Sequence, residues 1–225
     1  MTRSADVLVV MARAPELGAV KTRLAERVGA AAACDLYRAF LTDLAGRLAD
    51  GPWALAWAVT PPDADLTPIV GQRGRQIGQQ GVDLAERMWR CVARLFDDGA
   101  ARVVMIGADV PHLPSTAISA VFAALDAHDA VLMPTRDGGY CLVGLRAAHD
   151  LFTGIPMGSA SVFDCTRARL AALGLRWCAL DPSFDVDEFD DVVELAALIA
   201  QGDVALPHTA AVLRAWHAAG FLLFP

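Results

Sequence analysis

The sequence predicts an α/β fold built on a single Rossmann-like, doubly wound, mostly parallel sheet. Three observations predict it. Strand-sized apolar runs alternate with helix-length amphipathic segments along the whole chain. The runs are continuously apolar rather than alternating, as strands covered on both faces are. The places where the sequence stops resembling packing material fall just after strands, where open α/β sheets bind ligands.

Taken in order, Val7–Met11 is the first buried strand. Ala19–Val28 and Ala31–Ala49 have helical spacing, the second with Leu36, Phe40, Leu44 and Leu48 on one face. Trp53–Val59 is a strand ended by Pro61-Pro62. Asp83–Phe96 is a helix, opened by Asp83 as N-cap with Glu86 three residues on. The strand Arg102–Ile106 leads to the helix Pro114–Leu125, with proline in its first turn. Ala130–Met133 and Tyr140–Leu145 are strands flanking the Gly138-Gly139 turn. The helix Ser161–Leu173 stops at Gly174, and the strand Leu175–Leu180 follows. Phe189–Ala200 and Thr209–Ala219 close the chain as helices. With no linker or repeat, residues 1–225 read as one domain, residues 203–225 being a helical extension.

Composition narrows the function. Hydrophobic residues at 55% and charged ones at 20% exclude a disordered chain. No apolar run approaches the roughly 20 residues of a bilayer span, and the start lacks a signal-peptide pattern, so a cytoplasmic protein is expected. Five cysteines without a CxxC pair (Cys34, Cys91, Cys141, Cys165, Cys178) argue against a disulfide framework or zinc site. A net charge of −7 argues against nucleic-acid binding, which needs a basic stripe. An anionic ligand must then be met by local positive charge. Of 19 basic residues, 18 are Arg and one, Lys21, is Lys. A compact ammonium there suits a place that a guanidinium does not.

Four segments carry the chemistry. In Met11–Leu24 (MARAPELGAVKTRL) a strand ends in a Pro/Gly loop with a helix expected near Ala19, and Arg13, Lys21 and Arg23 stand within eleven positions. A helix N-terminus and three cations make an anion site, although Val20 departs from the Walker A pattern. In Ile106–Pro114 (IGADVPHLP), Asp109 follows a buried strand and is placed to hold Mg²⁺ against phosphates. A turn or capping role for Asp109 is the alternative, and His112 stays open between site and packing. In Phe184–Asp191 (FDVDEFDD), Asp185 and Asp187 alternate and would point the same way from an extended backbone. Glu188, Asp190 and Asp191 are acidic residues of a helix start, and the whole cluster is open between the two readings. In Thr135–Gly144 (TRDGGYCLVG), the glycine turn would let a ligand approach the backbone, with Arg136 available to an anionic acceptor.

Together, ARAPELGAVKTRL, QGVDLAERM, GADVPHL, DGGYCLVGL and DVDEFDDV resemble the glycosyltransferase-A-like proteins of largely unknown function, some described as arsenosugar-biosynthesis glycosyltransferases. That family is similar to the phospholactate and phosphoenolpyruvate guanylyltransferases within the nucleotide-diphospho-sugar transferase superfamily. The resemblance spans roughly Val7 to Val192. It implies a nucleotide site at Ala12, Arg13, Gly18, Lys21, Arg23, Gln80 and Asp83, with Lys21, Arg23 and Asp109 catalytic. It implies Mg²⁺ or Mn²⁺ on Asp109 and Asp187, with Asp185 behind them. The glycine-turn segment itself suggests a small-acceptor site at Arg136, Asp137, Gly138, Gly139 and Tyr140, a plain turn being the alternative.

Two departures matter. Gly81-Val-Asp replaces a Gly-Leu-Asn segment of the guanylyltransferases, which leaves the base open. Ala108-Asp109-Val110-Pro111 lacks the DxD of many glycosyltransferases. The expectation is transfer of a nucleotidyl group from an NTP to a phosphate- or phosphonate-bearing acceptor, releasing pyrophosphate. Glycosyl transfer from an NDP-sugar, and a non-catalytic nucleotide-binding protein, are the alternatives. A homodimer is compatible with the apolar C-terminal tail.

Overall fold

The computed structural model describes residues 6–222 and 224; Met1–Ala5, Leu223 and Pro225, which include parts of the N-terminal and C-terminal tail readings, lie outside the described residues. Seven strands form one sheet: β1 (Asp6–Arg13), β2 (Ala54–Thr60), β3 (Arg75–Gly78), β4 (Arg102–Gly107), β5 (Ala130–Pro134), β6 (Tyr140–Leu145) and β7 (Trp177–Ala179). Their order is β3-β2-β1-β4-β6-β5-β7. All neighbours are parallel except β6, which runs antiparallel to both β4 and β5. The helices are α1 (Thr22–Val28), α2 (Ala30–Leu48), α3 (Thr67–Val70), α4 (Leu84–Asp97), α5 (Ser115–Ala124), α6 (Val162–Ala172), α7 (Phe189–Gln201) and α8 (Pro207–Ala218).

Helices cover both faces, as the continuously apolar strands require. Along β1, Leu8, Val10 and Ala12 enter one core with α2, α5, α7 and α8, while Val7 and Val9 enter the other with α4 and α6. From β1 the chain winds outward to β2 and β3, then crosses back to pair β4 on the other side of β1. The loops leaving β1 and β4 therefore part in opposite directions and open a crevice at the sheet's carboxyl edge. No described helix is long and apolar enough to cross a membrane.

Four elements differ from the sequence reading, one of them the short helix α3 (Thr67–Val70), which is not expected there. Arg75–Gly78 is an edge strand inside a Gly/Gln/Arg-rich stretch, and only Ile77 of it is buried. A strand with one inward residue has no apolar run to betray it. The helix expected from Ala19 begins at Thr22, because Lys21 takes the left-handed conformation (φ 49, ψ 45) and residues before it form turns. The seven-residue α1 is thus no long helix with a phosphate-binding end. The last strand is only Trp177–Ala179.

Candidate active site

The crevice between β1 and β4 is a cavity of about 380 Å³. It straddles the carboxyl edge of the sheet. Lys21, Tyr37 and Ala12 line it from the α2 side, and Met11, Met88, Met105 and Val143 from the α4 side. The first flank carries Lys21 with its carboxylates, and the second is mostly apolar, with Arg87 of α4 as its charged side chain.

Lys21 sits at the charged flank. Its Nζ donates to Asp109 Oδ1, the next residue but one after β4, and to Asp187 Oδ1 at 2.9 Å. The lysine side chain is 2% exposed, whereas those of Asp109 and Asp187 are 42% and 45% exposed. Burial works against the ammonium's charge, but the two carboxylates outweigh it and its pKa lies above the ordinary lysine value. The Tyr37 and Phe40 rings lie 5.8 Å from Nζ on the α2 side. Lys21 is the one non-glycine residue with positive φ among those described. Such a conformation costs on the order of 1 kcal/mol and persists because the surroundings hold it.

The two carboxylate loops are fastened to one another. Val186 is fully buried and its N–H donates to the Asp109 carbonyl at 2.9 Å. Its neighbours Asp185 and Asp187 both face the cavity, as their alternation predicts. Burial first, then Asp109 and Asp187, push the Asp185 carboxyl up to about 7 against the pull of Lys21. Glu188 and Asp191 form a capping box at the start of α7. From α2, the Arg47 guanidinium donates to the Pro111 carbonyl and, at 2.9 Å, to that of Leu113, fixing the loop after β4.

Phe184 and His112 brace the same loops. Their rings stack at 4.2 Å between centroids, His112 Nε2 lies 3.1 Å from Ser183 Oγ, and Arg136 packs 5.2 Å from the Phe184 ring. Burial, with Arg47 nearby, pushes His112 from 6.5 down to about 4. A buried base whose folded pKa is depressed adds stability that is complete above about pH 6.5 and lost as pH falls toward 4. Relative to a His112→Gln chain, the wild-type chain is expected to lose up to about 1.4 kcal/mol per pH unit across that window. Urea titrations of both chains at several pH values check this, and parallel stability profiles would refute it.

The structure places the other expected residues unevenly. Ala12, Arg13 and Tyr140 line the cavity with Lys21, Asp109, Asp185 and Asp187. Arg23 does not; it opens α1 on the solvent side, 67% exposed and 3.6 Å from Glu188. It borders an adjoining cavity of about 240 Å³ that shares Asp185 and Asp187, along with Arg136 and Asp137. Arg136 is engaged by both carboxylate oxygens of Glu194 at 2.6 and 2.7 Å, so its charge is committed. Gly138 and Gly139 line neither cavity. A Cβ on Gly138 (φ 89) would meet the Ala160 carbonyl oxygen at 2.1 Å, so the close approach this glycine permits is to the chain itself. Gly18 forms an exposed turn, Gln80 is exposed, and Asp83 caps α4 by accepting from the Glu86 N–H at 2.8 Å.

The wall near Gln80 belongs to its neighbour. Gln79 follows β3, is buried, and donates from Nε2 to the carbonyls of Ala12 (3.2 Å) and Ala58 (2.8 Å). With both amide hydrogens committed, its side-chain oxygen is what remains for a ligand. Arg87 of α4 and Tyr140 also line the cavity, and the Arg87 Nε and Tyr140 hydroxyl are buried without a hydrogen-bond partner among the described residues. Gln79 and Arg87 fall in the segment that opens α4 but are given no site role by the sequence, and Tyr37 is not singled out at all. A signal for Tyr37 exists in the composition: the chain has two tyrosines, Tyr37 and Tyr140, and both face this cavity.

Among the described residues, no three His, Cys, Asp or Glu side chains are grouped as a complete metal site. Asp109 and Asp187 are nevertheless hard oxygen donors within reach of one cation, Lys21 Nζ. That suits an ion such as Mg²⁺, which takes one or two carboxylates and completes its shell with phosphate oxygens and water.

Residues 41–159 match the profile of a family described as "Uncharacterized protein conserved in bacteria (DUF2064)". No functionally curated protein matches the sequence. Among solved structures, the fold is similar to a protein from Desulfovibrio desulfuricans G20 provisionally named a nucleotide-diphospho-sugar transferase. The two share 33% identity over 97% of this chain and 98% of that one, with a TM-score of 0.85. More distant are a 4-diphosphocytidyl-2C-methyl-D-erythritol synthase (14% identity, 88% and 100% covered, TM-score 0.58) and a cytidylyltransferase from Leptospira borgpetersenii serovar Hardjo-bovis (10%, 97% and 96%, 0.55). At those identities the likeness is one of fold.

Proposed function

This chain belongs to the bacterial DUF2064 family, and we propose that it is a metal-dependent transferase acting on an activated nucleotide. The observation that carries the reading is the Lys21–Asp109–Asp187 cluster in the crevice between β1 and β4, beside a cavity whose opposite flank is mostly apolar. We place the phosphates against Lys21 and Arg13, and the base against Met11, Met88, Met105 and the Gln79 amide oxygen. The reaction is nucleotidyl transfer: an acceptor oxygen bonds to the α-phosphorus of an NTP, the α–β bond breaks and pyrophosphate leaves. Asp109 and Asp187, with Asp185 behind them, would hold Mg²⁺ or Mn²⁺, and the ion's contribution is neutralisation of charge on phosphate oxygens. Lys21 supports the same charge and aligns the phosphates. The acceptor enters beside Asp185 and Asp187 from the adjoining cavity.

Glycosyl transfer from an NDP-sugar is the second reading, favoured by the name of the Desulfovibrio relative. A thermal-shift panel of NTPs and NDP-sugars with Mg²⁺ separates the two. At a hundredfold excess over Kd, a ligand adds about 2.7 kcal/mol. In a chain of this size that raises Tm by roughly 5–10 °C. The expected result is such a rise with at least one NTP and a smaller one with its NDP-sugars. The reverse order selects glycosyl transfer, and no rise with either class sinks the nucleotide reading.

A further inference from the structure

The ammonium of Lys21 lies where a divalent cation bound by Asp109 and Asp187 would lie, or beside it. Two of its three hydrogens go to the Oδ1 atoms of these carboxylates. The lysine is buried while both carboxylates are about half as exposed as free side chains, so a cation arriving through the cavity meets the carboxylates first. Behind the ammonium, Tyr37 and Phe40 close off retreat toward α2. The direction left to Nζ is into the cavity. The backbone of Lys21 is held in its left-handed conformation at some cost, as expected of a residue whose placement matters more than its local comfort.

We infer that Lys21 is a stand-in cation for this site: ammonium and divalent ion compete for Asp109 and Asp187, and arrival of the ion turns Lys21 out toward the phosphates. While its charge is shared between two carboxylates, Lys21 offers little net positive potential to an anion. Once displaced, it is a free ammonium beside the nucleotide. Ion and nucleotide therefore bind with positive coupling, each making room or charge for the other, and the coupling is reciprocal. The inference rests on the metal-dependent reading above and adds to it a direction of effect: removing the lysine strengthens ion binding.

Two measurements on the full chain test it. Isothermal titration with Mn²⁺ alone should show a Lys21→Met chain binding the ion at least about tenfold more tightly than wild type, or about 1.4 kcal/mol. Equal or weaker binding by Lys21→Met overturns the inference while leaving the metal-dependent reading intact. No Mn²⁺ binding by either chain overturns both. The second measurement needs no variant. Lys21 is the sole lysine, so ¹³Cε-lysine labelling gives a single resonance that reports on this ammonium. It should shift saturably with Mg²⁺, along the same isotherm as Mg²⁺ binding followed by calorimetry. A resonance that stays still while the ion binds overturns the displacement even if Lys21→Met does not fold.

Discussion

A Lys21→Ala chain is expected to lose about 10³-fold in kcat, or about 4 kcal/mol of transition-state stabilisation, while its Kd for the Mg²⁺–nucleotide complex moves less than about fivefold. Charge on the phosphate oxygens is greatest as the α–β bond breaks, so the ammonium counts most at that moment. In the bound ground state the loss is offset, because Asp109 and Asp187 no longer share their charge with a lysine and grip the ion better. The fold should tolerate the change, since both carboxylates reach solvent. Steady-state kinetics with the nucleotide chosen by thermal shift, together with direct binding, give both numbers. An unchanged kcat would remove Lys21 from the chemistry; an equal fall in affinity and turnover would make it a plain binding residue.

The second large effect is on stability. Asp43 in α2 is 2% exposed and accepts three hydrogen bonds from the start of α8: His208 N–H at 3.0 Å, Thr209 N–H at 2.8 Å and Thr209 hydroxyl at 2.7 Å. It caps a helix that lies more than 160 residues away in sequence. Asp43→Ala strands those donors in a buried place. At 1–3 kcal/mol for each buried group left unpaired, partly relieved by local opening, the expected destabilisation is roughly 3 kcal/mol. That corresponds to a Tm lower by about 6–12 °C. Hydrogen exchange should localise the loss to 207–218, where α8 packs on α2 and buries Ala210 and Leu213 in the core. A change under about 2 °C would show that α8 holds its place by apolar contact alone.

Much of this fold is legible in the sequence because its strands are buried on both faces. A run such as Val7–Val10 admits no other economical reading once helices flank it. The features that escape are those with no periodic signature. β3 has one inward residue, so nothing in Arg75–Gly78 distinguishes a strand from a polar loop. Lys21 is visible by its rarity, but its left-handed backbone is not, since nothing local announces it; the carboxylates that hold it there come from Asp109 and Asp187. For the same reason Arg23 reads as a partner of Lys21 and folds away from it. Asp185 and Asp187 share a side, as alternation demands, because Val186 between them is an anchor in the core. Gln79 and Gln80 cannot be told apart by sequence, since which of two adjacent residues faces inward depends on where β3 ends.

The ion cluster also sets when, during folding, the site comes into being. Its two pairings join residues 88 and 166 positions apart, among the longest loops the chain closes. Closing such loops is entropically slow, and contacts of this span form once more local pairings have already shortened the path between their ends. The β5–β6 pairing joins residues at most 15 apart, whereas the Lys21–Asp187 contact spans 166 positions and brings the loop after β1 to the segment before α7. A chain cut short of Asp187 lacks one of the two carboxylates that hold the Lys21 ammonium. Lys21 has both of its carboxylate partners only when the longer of the two contacts has closed.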